Sequence, residues 1–401
     1  MEKKWLKRAI LSAVLGSSFL GLLPSVEAAE VRILPVDKAK FWAGAKFDFD
    51  VEVKGDQQLK DVAITVNGQP ADKFFGRNLV KKDLGNGVTS YRADQVTFPK
   101  TGAYEVKVTA QDGAGKGVSA AGYTVVSEKA PKRAKNVILF VGDGMSLQAR
   151  EIARILSKGM TNGKYNDLLA MEKLEHNAVI TTSGYDSLVT DSANSASAYA
   201  TGHKSVVNAM GVYEDSTKDP FDDPKVENIS EIVKRTRGMS VGVVTQAEST
   251  DATPAAMIGH TRRRARQDWL ASSYLSQYHR PDVIMGGGSA RYLPQSTPGS
   301  KRKDNDNVIQ DFKDLVLSAE FTAAIVTAML LAGKPLLGLF HTGTMNVYLD
   351  REMLKDPQVL KGFTDQPNLM DMTKKSLDIL SRNPNGFFAM IEGASIDKQL
   401  H

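Results

Sequence analysis

The sequence predicts an α/β protein, a mostly parallel sheet with helices on both faces, preceded by a small β-sandwich. Three observations predict it. Between Glu30 and Val126 apolar and polar residues alternate, the period of strands buried on one face. After Asn136 the apolar residues come in continuous runs separated by longer helical stretches, as in strands covered on both sides. Composition permits both: 401 residues, 42% hydrophobic and 24% charged, suffice for two or three domains and exclude disordered, collagenous and coiled-coil chains. Cys is absent, which removes disulfides, thiol nucleophiles and Cys-ligated zinc or iron–sulfur clusters. Lys and Arg number 51 against 46 Asp and Glu, and this net +5 is too mild to indicate a nucleic-acid partner.

Residues 1–28 read as a signal peptide. Lys3, Lys4, Lys7 and Arg8 precede an apolar stretch from Ala9 to about Leu23, and Val26-Glu27-Ala28 supplies a small-x-small cleavage pattern. The apolar run is short and interrupted for a membrane anchor, so the expectation is export to the periplasm or medium, with no membrane attachment after cleavage. Cleavage removes four basic and two acidic residues and leaves a net +3. In residues 29–126, Phe47, Phe49, Val51 and Val53 share one face while Asp48, Asp50 and Glu52 share the other. Val62–Val66 ends at Asn67-Gly68, a tight-turn pair, and Tyr104–Val108 and Tyr123–Val125 repeat the alternation with Asp112-Gly113 between them. Short strands separated by turn residues indicate an immunoglobulin-like sandwich. Residues 127–135 read as a polar, basic linker.

The core from residue 136 to 401 carries apolar runs at Val137–Val141, Ala178–Ile180, Val241–Val244, Val283–Met285, Leu336–Phe340 and Phe387–Ile391. Helical stretches include Gln148–Lys158 and Met370–Ser381, and Phe321–Leu331 reads as a buried helix. Ligands of such sheets bind beyond the carboxyl ends of strands, so the residues after each run carry the chemical signal. Gly142-Asp143-Gly144 lets a carboxylate approach a metal closely, or simply turns the chain. Thr190-Asp191-Ser192 opens a run of small helix formers; Ser192 there suits a nucleophile or an anion site, but the motif alone favours an N-cap at Asp191 or Ser192. Asp251 and Thr253 can present oxygens to a hard cation or cap a helix, and Arg264 offers a bidentate phosphate clamp beside Arg262, Arg263 and Arg266, which read as a solvated basic face. Glu392 ends the last run, and Asp397 and His401, four apart, share a helix face suited to one metal. The other five histidines lack a ligand set, Gly286-Gly287-Gly288 reads as a turn, and Lys301–Asp304 reads as a solvated loop.

In this order, VGDGMS, TDSANSA, DATPAA followed by HTRRR, and EGASIDKQLH resemble the alkaline phosphatase family from Asn136 to His401. The resemblance implies an alkaline-phosphatase-like sheet, two Zn2+ ions and one Mg2+, and hydrolysis of small phosphate monoesters through a phosphoserine. It implies Ser192 as the nucleophile and ligand of one zinc, Asp143 bridging that zinc and the magnesium, and Thr253 and Glu392 completing the magnesium ligands. Asp251 would hold magnesium-bound waters, Asp397 and His401 the other zinc, and Arg264 the phosphate, with Lys398 reaching it through water. Asp251 and Lys398 resemble the bacterial variant. The resemblance is compatible with a homodimer.

One departure stands out. The family uses an Asp-His pair and a further His as zinc ligands, and this sequence contains no Asp-His dipeptide. The sequence is therefore expected to be a fragment lacking C-terminal zinc ligands, weakly active or inactive by itself. The competing readings are a phosphodiesterase or sulfatase of the same superfamily, and a secreted binding protein with a degenerate phosphatase core. Arg264 favours a dianionic monoester, and the intact Ser192, Arg264, Asp143 and Glu392 favour an enzyme over a degenerate core.

Overall fold

The computed structural model describes residues 29–55, 59–112, 115–127, 134–276, 280–316 and 335–400. The signal-peptide reading, the Phe321–Leu331 helix, His279, His401, Gly113 and most of the linker lie outside those residues. Among the described residues no helix is long and apolar enough to cross a membrane.

Alternation does produce strands in the N-terminal part: β1 (Glu30–Leu34), β2 (Lys40–Trp42), β3 (Lys46–Lys54), β4 (Lys60–Val66), β5 (Gln69–Pro70), β6 (Val80–Gly85), β7 (Val88–Thr97), β8 (Gly102–Gln111) and β9 (Lys116–Val126), with the short helix α1 (Ala71–Phe75) after β5. They form two sheets, β1-β3-β7-β6 and β2-β9-β8-β4-β5. The apolar faces meet in one core in which Phe41, Phe47, Phe49 and Phe98 pack with Val51, Val106 and Tyr123. The Asp-Phe alternation of β3 is legible in the fold, but its charged face is not solvated. Asp48, Asp50 and Glu52 are 3%, 1% and 3% exposed, because residues 214–227 of the following domain lie over them.

The second domain holds a five-stranded, all-parallel sheet ordered β10-β16-β13-β14-β15. Its members are β10 (Asn136–Gly142), β13 (Ser240–Glu248), β14 (Val283–Gly287), β15 (Leu336–Leu339) and β16 (Phe387–Gly393); a separate small ribbon pairs β11 (Met160–Thr161) with β12 (Lys164–Tyr165). Side chains alternate between two cores. Val241, Val243, Ile284, Leu337, Phe388 and Met390 face α3 (Ser192–Thr201), α4 (Ile229–Arg237), α5 (Ala252–Ala256) and α6 (Gln267–Ser273). Val244, Val283, Met285, Phe387, Ala389 and Ile391 face α9 (Leu369–Leu380). Also present are α2 (Leu147–Lys158), α7 (Val308–Val316), α8 (Pro357–Leu360) and α10 (Ser395–Leu400).

Two expectations of the core fail. Ala178–Ile180 forms no strand, and Val179 is 98% exposed. Three apolar residues do not specify a strand unless a ladder partner is available, and among the described residues none lies beside them. β10 is a strand, but it sits at the sheet edge with Phe140 68% exposed.

Candidate active site

Three neighbouring strands, β10, β16 and β13, end at the same edge of the sheet, and each delivers a motif there. Asp143 follows β10, Glu392 lies in β16 opposite Val141 and Thr245, and Asp251 follows β13. Gly144 turns the chain with φ 63°, and a Cβ there would lie 2.8 Å from Asp397 Oδ1. Only glycine lets the two motifs approach this closely.

Ser192 is the first residue of α3, and Asp191 is its N-cap. The Asp191 carboxylate accepts from Asn194 N at 3.0 Å and the Asn194 amide oxygen accepts from Asp191 N at 3.1 Å, so two free helix donors are satisfied. The N-cap reading of this motif thus holds at Asp191, and Ser192 stands as the first helical residue. Ser192 Oγ donates toward Asp143, 3.2 Å from each carboxylate oxygen. Asp251 caps α5. Ala193, Ala196 and Ala200 of α3 pack with Ala252, Ala255 and Ala256 of α5, side chains small enough to let the helices close up and bring their N-termini together.

Arg264 joins those N-termini. One guanidinium nitrogen donates to Asp191 Oδ2 at 3.1 Å and the other to Asp251 Oδ1 at 2.8 Å. Lys398 Nζ lies 3.3 Å from Asp251 Oδ2 and 3.5 Å from Asp397 Oδ2. Burial works against the ionised form of Asp251, yet Arg264 and Lys398 hold its carboxyl below the usual carboxylate range. Asp143 moves the other way: burial raises it, Asp397 and Asp251 add to the rise, and the Ser192 hydrogen bond and Lys398 oppose it. Burial likewise pushes Glu392 up to about 8, against hydrogen bonds from Thr245 and Thr253 and with Asp143 and Asp251 nearby. Thr253 Oγ1 also lies 3.5 Å from Asp143 Oδ2.

Eight of the nine sequence-predicted site residues are therefore described in one place: Asp143, Ser192, Asp251, Thr253, Arg264, Glu392, Asp397 and Lys398; the ninth is His401. Asp143, Glu392 and Thr253 give two carboxylates and a hydroxyl close together, an all-oxygen set of the kind a hard cation takes. Half-buried Asp143 and buried Glu392, both biased toward protonation in one spot, mark a deficit of positive charge of the kind a divalent ion fills. Among the described residues, no group of three or more His, Cys, Asp or Glu side chains is arranged to hold a metal.

Sequence reasoning missed Asp191 as an anchor for Arg264; its signal was the three-residue spacing to Asn194. It also missed Thr245, whose hydroxyl donates to Glu392 at 2.5 Å; only strand register reveals that pair. The solvated reading holds for Arg263 and Arg266 and fails for Arg262, which is buried on Asp223 at 3.1 Å. It fails too for Arg302, buried on Asp304 and on the main-chain oxygens of Asp268 and Arg291. Gly286-Gly287-Gly288 packs the end of β14 against residues 341–343, with a Cβ on Gly287 falling 2.0 Å from Gly343 O.

Known proteins resemble this chain in sequence and fold. A family model for alkaline phosphatase matches residues 134–401. Alkaline phosphatase H of Pseudomonas aeruginosa is 32% identical over 301 residues, which is 67% of this chain and 61% of the relative. The alkaline phosphatase of Escherichia coli is 29% identical over 345 residues, 78% of this chain and 71% of that protein. Among solved structures, a mutant alkaline phosphatase from the Antarctic bacterium TAB5 with Mg bound in its M3 site superposes with TM-score 0.50 at 28% identity, covering 66% of this chain and 65% of that one. A cold-active alkaline phosphatase from Shewanella sp. gives TM-score 0.52 at 28% identity over 66% of this chain and 57% of that one. The chain thus spans 61% of the Pseudomonas relative's length. With a family model covering well over half its residues and four motifs meeting at one sheet edge, the chain belongs to the alkaline phosphatase family.

Proposed function

We propose that this chain carries the serine-nucleophile site of an exported, metal-dependent phosphatase that hydrolyses small phosphate monoesters. The observation that carries the reading is Ser192 Oγ at the N-terminus of α3, 3.2 Å from both Asp143 oxygens, beside an arginine held between Asp191 and Asp251. An arginine fork matches two non-bridging oxygens of a dianion, and the free N–H groups and positive end of α3 favour the same charge. Ser192 Oγ would form a bond to phosphorus as the ester P–O bond breaks, the alcohol leaving with a proton; water would then release phosphate from the phosphoserine.

Asp143, Thr253 and Glu392 are the residues that would hold magnesium, with Asp251 beside them. Two zinc ions complete the set that the family resemblance supports; Ser192, Asp143 and Asp397 are the described residues assigned to them. Divalent ions bound there would lower the pKa of the Ser192 hydroxyl and neutralise charge on the transferring group. Arg264 orients that group for in-line attack, and Lys398 supplies a second cation near Asp251.

The test is covalent labelling. With zinc and magnesium added, the chain incubated with a radiolabelled monoester and quenched in acid should carry phosphate on Ser192. Ser192→Ala should lose the label while still binding magnesium. Undiminished labelling of that variant overturns the nucleophile assignment, and faster release from a phosphate bis-ester than from p-nitrophenyl phosphate overturns the substrate class.

A further inference from the structure

The sandwich carries no catalytic constellation, yet its charged face is buried against the segment that leads from α3 to Arg264. Asp48 N donates to Lys225 O at 2.8 Å, and Glu227 N donates to Lys46 O at 3.0 Å, so residues 225–227 continue the sandwich sheet beside β3. Side chains reinforce the join. Asp48 Oδ2 accepts from Lys225 N at 3.1 Å, Glu52 accepts from Ser216 N at 2.7 Å and Ser216 Oγ at 2.8 Å, and Glu227 accepts from Lys46 N at 2.8 Å.

From there the hydrogen bonds run on to the phosphate clamp. Val226 N donates to Gly211 O at 2.9 Å and Tyr213 N to Pro224 O at 2.9 Å. Met210 and Thr261 exchange two main-chain bonds of 2.8 and 3.0 Å. Arg264 N donates to Asn208 O at 3.0 Å, and Asn208 N donates to Asp191 Oδ1 at 3.3 Å. Asp191 and Arg264 are themselves the ion pair at the site. A second contact runs parallel: Phe41 of the sandwich meets the ring of buried His203 at 4.9 Å, and His203 Nδ1 bonds the Tyr213 hydroxyl at 2.9 Å.

We propose that the N-terminal sandwich is a buttress for the phosphate clamp, with Asp48 and Glu52 as positioning residues that fix the 208–227 segment and, through it, Asp191 and Arg264. The inference rests on the proposed role of Arg264 as the phosphate ligand. Its physical basis is a run of main-chain bonds through residues 208–227 and 261–264, entered through the short carboxylate contacts of Asp48 and Glu52 and ending on the Asp191 carboxylate, which transmits a displacement rather than absorbing it. A sandwich serving only as a cover would affect stability and leave the clamp unchanged once the protein is folded.

The experiment compares wild type with Glu52→Ala, Glu52→Gln and the exposed-site variant Ser216→Ala. Hydrogen exchange followed by mass spectrometry reads residues 205–213 and 260–265, and calorimetry reads the affinity for inorganic phosphate with magnesium and zinc present. Exchange in both segments should quicken in Glu52→Ala, and phosphate affinity should fall roughly 3- to 20-fold. Ser216→Ala should show the same changes at smaller size. Glu52→Gln, which keeps an acceptor for Ser216 N, should recover most of the loss. Unchanged exchange and affinity in folded Glu52→Ala overturn the proposal; if that variant does not fold, unchanged values in Ser216→Ala do so. Arg264→Ala separates the two readings: if it binds phosphate as wild type does, the clamp assignment falls, whereas loss there with no effect at Glu52 removes only the buttress.

Discussion

Arg264 shows how much of the candidate site is one residue's doing. It lies between two carboxylates that cap different helices, so it neutralises both and is pre-oriented by both. Lys could supply the charge but not the fork, because an ammonium cannot hold Asp191 and Asp251 in fixed planes while facing a phosphate. Arg264→Lys is therefore expected to weaken inorganic phosphate binding by roughly tenfold or more, the worth of a charge-assisted hydrogen bond, with little change in melting temperature. Titration calorimetry on the two proteins checks it. The sequence made Arg264 a candidate among four arginines; what distinguished it was position in space. Arg262, two residues away, is sealed on Asp223 and Asp215 and faces no site.

At the scale of elements, the site is made by three strand ends and two helix N-termini meeting. The alanine-lined contact between α3 and α5 sets the separation of Ser192 and Asp251, and it is readable only as small residues until the helices are seen to touch. Strand ends are equally constrained. At Gly287 the end of β14 lies against the main chain of residue 343, where even one methyl group would overlap an oxygen. Gly287→Ala should destabilise the chain by about 1–3 kcal/mol, the usual cost of overpacking against backbone. Chemical denaturation of the two proteins measures that difference, and a variant as stable as wild type would show that the 341–343 loop yields freely. Glu248, buried at the end of β13, ties this region together through Arg291 at 2.9 Å and Lys301 at 2.6 Å.

At the scale of the whole molecule, the seam between the two domains joins a cluster of charged groups to a small apolar cluster of Leu34, Val36, Tyr213 and Val226. A cavity of about 550 Å³ lies along it, lined among others by Asp50, Ser90, Arg92, Asp215 and Lys225. Asp48 pairs with Arg92 at 3.0 Å and Glu52 with Arg32 at 3.4 Å. Asp50 has no ion-pair partner among the described residues, and its Oδ1 accepts from Ser90 Oγ at 2.6 Å. Burial pushes the Asp50 carboxyl up to about 6; Glu52 and Asp215 add to that, while Ser90 and Arg92 oppose it. An acid whose pKa is higher folded than unfolded favours the folded state in its protonated form. Its contribution is full below the unfolded pKa of 3.8 and is lost as pH rises to about 6. The loss is at most about 3 kcal/mol at 1.36 kcal/mol per pKa unit. Asp50→Asn, which keeps an acceptor for Ser90, should remove this slope and raise stability at pH 8. Urea unfolding of both proteins at pH 4, 5, 6 and 8 checks it, and parallel pH profiles would refute it.

Local pattern determined a good deal. The change from alternating to continuous apolar runs gave the order of the two fold classes, since each period follows from backbone geometry within a few residues. The motifs around Asp143, Asp251 and Glu392 were legible because strand ends are where a parallel sheet exposes chemistry, and Ser192 because it opens a helix of small residues. Alternation in β3 also showed that Asp48, Asp50 and Glu52 share a face. It could not show what that face meets, because the answer is Lys225 and Ser216, some 170 residues away in sequence. The same limit hid the burial of Arg262 and Arg302, the pairing of Thr245 with Glu392, and the failure of Ala178–Ile180 to become a strand. Secondary structure follows from neighbours along the chain, whereas burial and pairing follow from segments that meet only after the chain has folded.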